Sequence, residues 1–276
     1  MNLLVVILLA IIQGAAELLP VSSSAHVIVA EKLLHLDPTS PEMMFLLVML
    51  HTGTMGAVLV YFAKRWQARL NDEGLAQFAK MVILATVATG VLGFGLKKII
   101  EHIVHGEVES LFGNLKLIAV ALLGAGIIIL AASRHDGNEA SEHLDSANSL
   151  KIGLIQGLCL PFRGFSRSGA TISVAMLGGL SRSLAEDFSF ALAVVLTPAV
   201  IAIETHRLLK AKAAAGGTLQ LGSLLAPGLL GMVFSFVAGL LALKLLSDWL
   251  ENGRWKYFGY YCLVAAAAVF AVSFAV

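Results

Sequence analysis

The sequence predicts an all-α polytopic membrane protein, with six transmembrane helices plus two re-entrant helix pairs in an inverted-topology repeat. The 276 residues are 58% apolar and only 13% charged, whereas a soluble domain carries about 25% charged residues. Long stretches lack Asp, Glu, Lys and Arg altogether, and one pattern of short and long stretches occurs twice. With a mean hydropathy of +0.86, this composition excludes a disordered chain and disfavours the alternative of buried helices in a large soluble core.

Six charge-free stretches are long enough to cross a bilayer, which takes about 20 mostly apolar residues. Three of them reach that length directly, and three reach it when flanking Lys, Arg or His side chains extend towards the interface. In chain order the six stretches are 43–63, 81–96, 117–133, 188–203, 213–243 and 257–276. We expect each of them to form one transmembrane helix.

Four shorter charge-free stretches form two pairs, 1–16 with 18–30 and 152–162 with 168–181. Each pair is divided by proline and polar residues. A short helix, a break and a second short helix are typical of a re-entrant hairpin, whose irregular backbone must be buried by protein or line a wet cavity. No positive region precedes the first stretch, so we do not interpret it as a signal peptide.

The chain contains one unit twice, at an offset of 143 residues that places Gln13-Gly14 on Gln156-Gly157. We therefore expect a first repeat at 1–133, a linker at 134–151 and a second repeat at 152–276. Each repeat holds one re-entrant pair and three spans. Because three is odd, the second repeat enters the membrane from the opposite side, which is an architecture typical of transporters. The two breaks should then meet near the membrane midplane.

The number and distribution of charged residues indicate which partners and which membrane orientation to expect. Nineteen Lys and Arg against eighteen Asp and Glu leave a net charge of +1, which disfavours a nucleic-acid partner. Two cysteines in apolar stretches indicate neither a metal site nor a disulfide framework. Ten Lys and Arg lie in the loops on one side, against seven on the side that holds the termini. Cytoplasmic loops are enriched in these residues, so we expect both termini outside.

The first break combines ionisable and hydroxyl side chains at membrane depth, where such groups are functional candidates. Gln13 and Glu17 are four residues apart and share one helix face. Pro20 ends that helix, and serines are preferred N-caps for the next one, whose N-terminus would attract an anion. The alternative is plain capping, with Glu17 and His26 extending to the surface. The candidate residues here are Gln13, Glu17, Ser22, Ser23, Ser24 and His26.

The second break carries two arginines among hydroxyl residues. A membrane-embedded arginine needs an anionic partner, and guanidinium fits phosphate bidentately. The alternative is an ion pair between Arg167 and Glu17 with no ligand. Together the breaks supply an acid, a nucleophile, a base and a cation, a set that suits attack on a phosphate ester. The candidate residues here are Arg163, Ser166, Arg167, Ser168 and Thr171.

The two motifs resemble those of the undecaprenyl pyrophosphate phosphatase family, the bacitracin-resistance membrane phosphatases. The first family motif is Glu or Gln, three residues, Glu, then Pro-Val-Ser-Ser-x-Gly-His, and residues 13–26 read QGAAELLPVSSSAH. The second is Pro-Gly-x-Ser-Arg-Ser-x-x-Thr, and residues 163–171 read RGFSRSGAT. The likeness covers nearly the whole chain. Two positions depart from the pattern, Ala25 for a glycine and Arg163 for a proline.

The resemblance implies hydrolysis of undecaprenyl diphosphate to undecaprenyl phosphate and inorganic phosphate, in the cytoplasmic (inner) membrane of a bacterium. It also implies a divalent cation, Mg²⁺ or Ca²⁺. We expect the active site to open to the periplasmic or outer face and membrane lipids to surround the protein, and a homodimer is compatible with the sequence. The alternatives are a prenyl-phosphate transporter or flippase, which needs an anion site but no nucleophile, and a scaffold. The Lys-x₆-Arg-Pro signature of another lipid-phosphatase superfamily does not occur.

The expected roles follow from this resemblance and the chemistry of the residues. Ser23 is the favoured nucleophile, with His26 as its general base or as the nucleophile itself. Glu17 and Gln13 are the expected metal ligands. Arg167 should clamp the terminal phosphate, helped by Ser22, Ser166, Ser168, Thr171 and the auxiliary cation Arg163. His51, inside a span, is expected to hydrogen-bond to a neighbouring helix.

Overall fold

The computed structural model describes residues 2–37, 40–70, 74–134, 140–214 and 221–275. In these residues the chain is almost wholly helical, and the one β-type contact is an isolated bridge between Ser141 and Leu180. A short 3-10 helix covers Val108–Leu111. The α-helices are α1 (Leu3–Leu18), α2 (Ser23–Leu33), α3 (Pro41–Leu70), α4 (Gly74–Val104), α5 (Leu115–Ala132), α6 (Ser146–Cys159), α7 (Arg167–Leu177), α8 (Arg182–Ala214), α9 (Leu221–Glu251) and α10 (Lys256–Val272).

Five helices in the described residues are long and apolar enough to cross a membrane: α3, α4, α5, α8 and α9. The helix at the sixth predicted span, α10, is apolar and 17 residues long. Transmembrane helices range down to about 17 residues, so α10 lies at the lower bound. The prediction of an all-α polytopic membrane protein is confirmed.

The fifth predicted span starts too early. The stretch 213–243 begins inside α8, which runs to Ala214, and it includes residues 215–220, which lie outside the described residues. Helix α9 begins at Leu221 and continues past Lys244 and Asp248 to Glu251. Both of those charged side chains are exposed, so they do not interrupt the helix. Absence of charge identifies apolar sequence, but it does not mark where a helix ends.

Both helix breaks fall where the sequence predicts them. Helix α1 ends at Leu18 and α2 begins at Ser23, with Pro20 between them. Helix α6 ends at Cys159 and α7 begins at Arg167. Each of these four helices has 11 to 16 residues, which is too short to span a bilayer at about 1.5 Å per residue.

Close helix contacts hold both hairpins in the bundle. Helix α1 packs against α9, and α6 packs against α4. At Gly14 a Cβ atom would lie 2.5 Å from the carbonyl oxygen of Ser235, and at Gly157 it would lie 2.9 Å from that of Thr89. Glycine is therefore needed at both positions for the backbones to approach. The repeat itself, with boundaries at 1–133, 134–151 and 152–276, stays a prediction, and residues 135–139 of the linker lie outside the described residues.

A buried ionic cluster joins α3 to α8. Arg65 Nη1 lies 2.9 Å from Glu186 Oε2, and Nη2 lies 3.0 Å from Asp187 Oδ1. Ser247 of α9 donates a hydrogen bond to Glu186. Both carboxylates are only 1% exposed, and buried charges need such partners. The sequence predicts Arg65 as a loop residue, whereas the structure places its guanidinium against Glu186 and Asp187 of α8.

The inverted repeat predicts that residues 64–77 and 205–220 lie on opposite faces of the membrane, although 71–73 and 215–220 fall outside the described residues. Gln67 and Lys210 are exposed positions within these ranges. Both native cysteines are buried and can be replaced by alanine. Gln67→Cys and Lys210→Cys should then label from opposite sides with a membrane-impermeant thiol reagent. Labelling of both from one side is incompatible with an inverted repeat.

Candidate active site

The two breaks contact each other, as predicted. Ser168 Oγ, at the start of α7, donates to the carbonyl oxygen of Leu19 in the first break at 3.3 Å. The backbone N–H of Gly164 in the second break donates to Ser24 Oγ, also at 3.3 Å. The hydroxyl, carboxylate and guanidinium groups of the two motifs therefore share one site.

Glu17 lies at the centre of this site. Its Oε2 accepts a hydrogen bond from Ser23 Oγ at 2.5 Å and another from Gln13 Nε2 at 3.1 Å. Its Oε1 lies 3.6 Å from Arg167 Nη2. The side chain is 21% exposed, so the carboxylate is enclosed but reachable. A carboxylate that accepts the serine hydroxyl hydrogen is placed to receive that proton when the serine oxygen attacks.

His26 does not pair with Ser23, the partner that the sequence predicts. Its Nδ1 lies 2.7 Å from the carbonyl oxygen of Ser22, and its Nε2 lies 2.6 Å from the hydroxyl of Tyr261. The two rings are stacked, with centroids 5.7 Å apart. Among the described residues no hydrogen bond joins His26 to Ser23. The geometry therefore gives the general-base position beside Ser23 to Glu17.

Ser22 occupies the N-cap position of α2 but does not cap it with its side chain. Its backbone has φ 68°, a left-handed conformation that is uncommon for a residue other than glycine. Its Oγ lies 3.2 Å from Ser24 Oγ, and it makes no side-chain hydrogen bond to the helix N–H groups. The N-cap expected from the three serines is thus wrong, because the residue at that position, Ser22, directs its hydroxyl to Ser24 instead of to a helix N–H group.

In the second break, three hydroxyl groups hold the backbone in place. Ser166 caps α7 by accepting a hydrogen bond from the N–H of Gly169 at 3.2 Å. Thr171 Oγ1 donates to the carbonyl oxygen of Arg167 at 2.8 Å and lies 2.6 Å from Ser189 Oγ. Ser166, Ser168 and Thr171 are buried, which gives them a structural part in the site. Their direct contact with substrate stays a prediction.

Two arginines approach the first break from the second. Arg167 Nη1 is buried and makes no hydrogen bond within the described residues, while the guanidinium carbon lies 6.0 Å from the centre of the Phe190 ring. Arg163 stacks over Phe112 at 4.4 Å and attracts the carboxylate of Glu31. A buried guanidinium N–H without a protein acceptor is a group that an anionic ligand would satisfy.

Two further residues belong to the site. His51 Nε2 lies 3.4 Å from Gln13 Nε2, and its Nδ1 lies 2.9 Å from the carbonyl oxygen of Leu47. The expected bond of His51 to a neighbouring helix is confirmed, and that bond reaches a site residue. Tyr261 was not anticipated, because a tyrosine near the start of an apolar span carries no local signal of function.

The oxygen atoms of the site could hold a divalent cation only together with a phosphate ligand, which would supply further ligands to the ion. In the described parts of the chain, no cluster of three or more His, Cys, Asp or Glu side chains could hold a metal ion. Glu17 supplies a carboxylate and Gln13 an amide. Mg²⁺ commonly binds through one or two carboxylates plus substrate phosphates. These two residues therefore fit a cation that takes its remaining ligands from a diphosphate and water.

Comparisons with known proteins identify the family of the chain. Residues 6–268 match the family described as bacitracin resistance protein BacA. The chain is 58% identical to undecaprenyl-diphosphatase 2 of Acinetobacter baylyi, over 98% of this chain and 97% of the relative. It is 34% identical to undecaprenyl-diphosphatase 2 of Burkholderia thailandensis and 32% identical to that of Burkholderia orbicola, each over 96% of this chain and 95% of the relative. The family resemblance is confirmed, and this chain belongs to the bacitracin resistance protein BacA family.

Proposed function

We propose that this protein is an integral membrane phosphatase that hydrolyses undecaprenyl diphosphate to undecaprenyl phosphate and inorganic phosphate. The reaction recycles the lipid carrier of cell-wall synthesis. One observation carries the proposal: the Ser23 hydroxyl donates to Glu17 at 2.5 Å, next to Arg167, in a membrane-embedded site. A flippase would need the cation but not a hydroxyl paired with a base.

Ser23 is the nucleophile in this account. Its Oγ attacks the terminal phosphorus, and its proton passes to Glu17 Oε2, the atom it already contacts. The bond between that phosphorus and the bridging oxygen breaks, and undecaprenyl phosphate leaves with the bond electrons. Water then attacks the phosphorus of the phosphoserine, and the bond between phosphorus and Ser23 Oγ breaks. The proton on Glu17 passes to Ser23 Oγ, and the protons of the water leave with the phosphate. Covalent catalysis of this kind replaces one difficult step with two easier ones.

Arg167 binds the terminal phosphate. In phosphoryl transfer the protein acts mainly by positioning and by stabilising negative charge. The buried Nη1 of Arg167 offers a hydrogen bond that no protein group takes up in the described residues, and a planar guanidinium can make two parallel bonds to one phosphate. Arg163 serves as an auxiliary cation for the diphosphate.

Glu17 and Gln13 would hold the divalent cation, Mg²⁺ or Ca²⁺. Such an ion supplies neutralisation of diphosphate charge when it is bound. Gln13 also fixes Glu17, because its Nε2 donates to Oε2 at 3.1 Å. Since Gln13 contacts His51 as well, the carboxylate is oriented from two helices, α1 and α3.

The proposal places the site in the cytoplasmic membrane of a bacterium, open to the periplasmic or outer face. Arg163 stacks on Phe112, which lies in the connection between α4 and α5. The predicted topology puts that connection on the same side as the chain termini, the side with fewer Lys and Arg. The homodimer compatible with the sequence stays a prediction.

Phosphate release from prenyl diphosphates of several chain lengths tests the function. Purified protein in detergent or lipid should release phosphate from the long-chain substrate, lose this activity in chelator and regain it with Mg²⁺ or Ca²⁺. Tight binding of the lipid diphosphate without phosphate release would instead indicate a transporter. Full activity in chelator would remove the metal from the mechanism and leave Arg163 and Arg167 to neutralise the diphosphate.

A metal titration tests Glu17 as a ligand. Glu17→Gln should raise the metal concentration for half-maximal activity and lower the maximum rate, because an amide is a weaker ligand than a carboxylate for Mg²⁺ and Ca²⁺. The matched variant Gln13→Glu should be tolerated, since it restores the alternative residue of the family motif. An unchanged metal midpoint in Glu17→Gln would restrict Glu17 to its contact with Ser23.

A further inference from the structure

Helix α10 contacts the first break through two adjacent side chains, Tyr261 and Cys262, and Cys262 Sγ lies 3.3 Å from the carbonyl oxygen of Pro20. Tyr261 of α10 is 47% exposed, yet its hydroxyl lies 2.6 Å from His26 Nε2 and its ring is within 16° of parallel to the imidazole. Helix α10 also packs against α5, through a cluster of buried apolar residues that includes Ala25 of α2. The tyrosine therefore links a bilayer-facing helix directly to the first break.

The two contacts of His26 determine which ring nitrogen carries the hydrogen. The carbonyl oxygen of Ser22 can only accept a hydrogen bond, so Nδ1, 2.7 Å away, must be the N–H group. In the neutral ring Nε2 is then an acceptor, and the hydroxyl of Tyr261 donates to it. Both ring nitrogens are thus occupied by protein partners, and the tautomer is fixed.

The same hydrogen bond supports an unusual backbone. Ser22 has φ 68°, and conformations of this kind persist only where surrounding contacts hold them. Its carbonyl group is held by His26 Nδ1 and belongs to the peptide bond that leads into Ser23. A chain of contacts thus runs from Tyr261 through His26 and Ser22 to the residue whose hydroxyl meets Glu17.

We propose that Tyr261 is a positioning residue for the reaction: its hydroxyl holds the His26 ring against the Ser22 carbonyl, and the ring in turn supports the turn that presents Ser23 to Glu17. The proposal rests on the proposed function, and it predicts which kinetic constant should change when the tyrosine hydroxyl is removed. Without the tyrosine hydroxyl the substrate still binds at Arg167, but Ser23 is presented less accurately. The turnover number should fall and KM should stay near its original value.

Tyr261→Phe removes the hydroxyl and keeps the stacked ring. We expect kcat to fall about 10-fold, the lower end of the loss seen when a group that orients a metal-binding histidine is removed, with KM within about twofold. The matched control is Tyr257→Phe, one turn earlier on the same helix and 48% exposed, which should leave both constants unchanged. Equal kcat values for wild type and Tyr261→Phe, or equal losses in the two variants, would overturn the proposal.

A second measurement does not depend on activity. Nitrogen NMR of the histidine side chains, with His26 assigned by its disappearance in His26→Gln, should show one Nδ1–H tautomer in wild type and a mixture in Tyr261→Phe. An unchanged single tautomer in Tyr261→Phe would overturn the proposal. If wild type releases no phosphate, the proposed function fails, but the NMR comparison still decides whether Tyr261 fixes His26.

Discussion

Replacing Ser23 by alanine should lower phosphate release by about 10³-fold or more, an effect of the size seen when an activated nucleophile is removed. Glu17 would then have no hydroxyl beside it to deprotonate. Binding of the lipid diphosphate should persist, because Arg167 and Arg163 are unchanged. Steady-state phosphate release and equilibrium binding of the same purified variant measure the two effects separately.

The matched control is Ser24→Ala. Ser24 lies in the same turn, but its Oγ accepts from Gly164 and contacts Ser22 instead of Glu17. This variant should keep most of its activity. Comparable losses in the two variants would mean that the effect comes from disturbing the turn, and full activity in Ser23→Ala would exclude Ser23 as the nucleophile.

Replacing Arg167 by lysine should lower activity by about 100-fold, the scale of losing one donor that stabilises transition-state charge. Lysine keeps the positive charge but lacks the planar pair of donors that fits phosphate. The protein should still fold, since an ammonium group can remain beside Glu17. Thermal unfolding and size-exclusion profiles check folding, and phosphate release checks activity.

Arg163→Lys is the companion substitution at the other arginine of the second break. Arg163 stacks on Phe112, whereas the ion pair with Glu17 is made by Arg167, so replacement of Arg163 should cost far less activity. Near-normal turnover in Arg167→Lys would show that the phosphate clamp is assigned to the wrong residue. A larger loss in Arg163→Lys than in Arg167→Lys would exchange their roles.

Local sequence was sufficient to locate the breaks and the residues that meet there. Pro20 cannot continue a helix, and Ser166 is followed by a helix whose N–H groups need a cap. The end of α1 and the start of α7 are therefore each encoded within a few residues. Their contact followed from the repeat, because two hairpins entering from opposite sides should meet. The ion pair between Glu17 and Arg167, which the sequence offers as an alternative to phosphate binding, is present, with 3.6 Å between Glu17 Oε1 and Arg167 Nη2.

Contacts over long sequence distances were not predictable in the same way. His26 and Tyr261 are 235 residues apart, and no spacing rule connects them. Closeness in sequence predicts His26 as the partner of Ser23, whereas the imidazole contacts Tyr261 of α10. Arg65 was interpreted as a loop charge, because its carboxylate partners lie far along the chain on α8.

The most direct test of the account is the detection of a phosphorylated serine. Purified protein is mixed with lipid diphosphate radiolabelled in its terminal phosphate. The reaction is quenched rapidly in acid or in alkali, and the labelled residue is located by peptide mass spectrometry. The account predicts an acid-stable label on Ser23, absent from Ser23→Ala and accumulating before phosphate is released. An alkali-stable label on His26, or phosphate release with no labelled protein at any quench time, would contradict it.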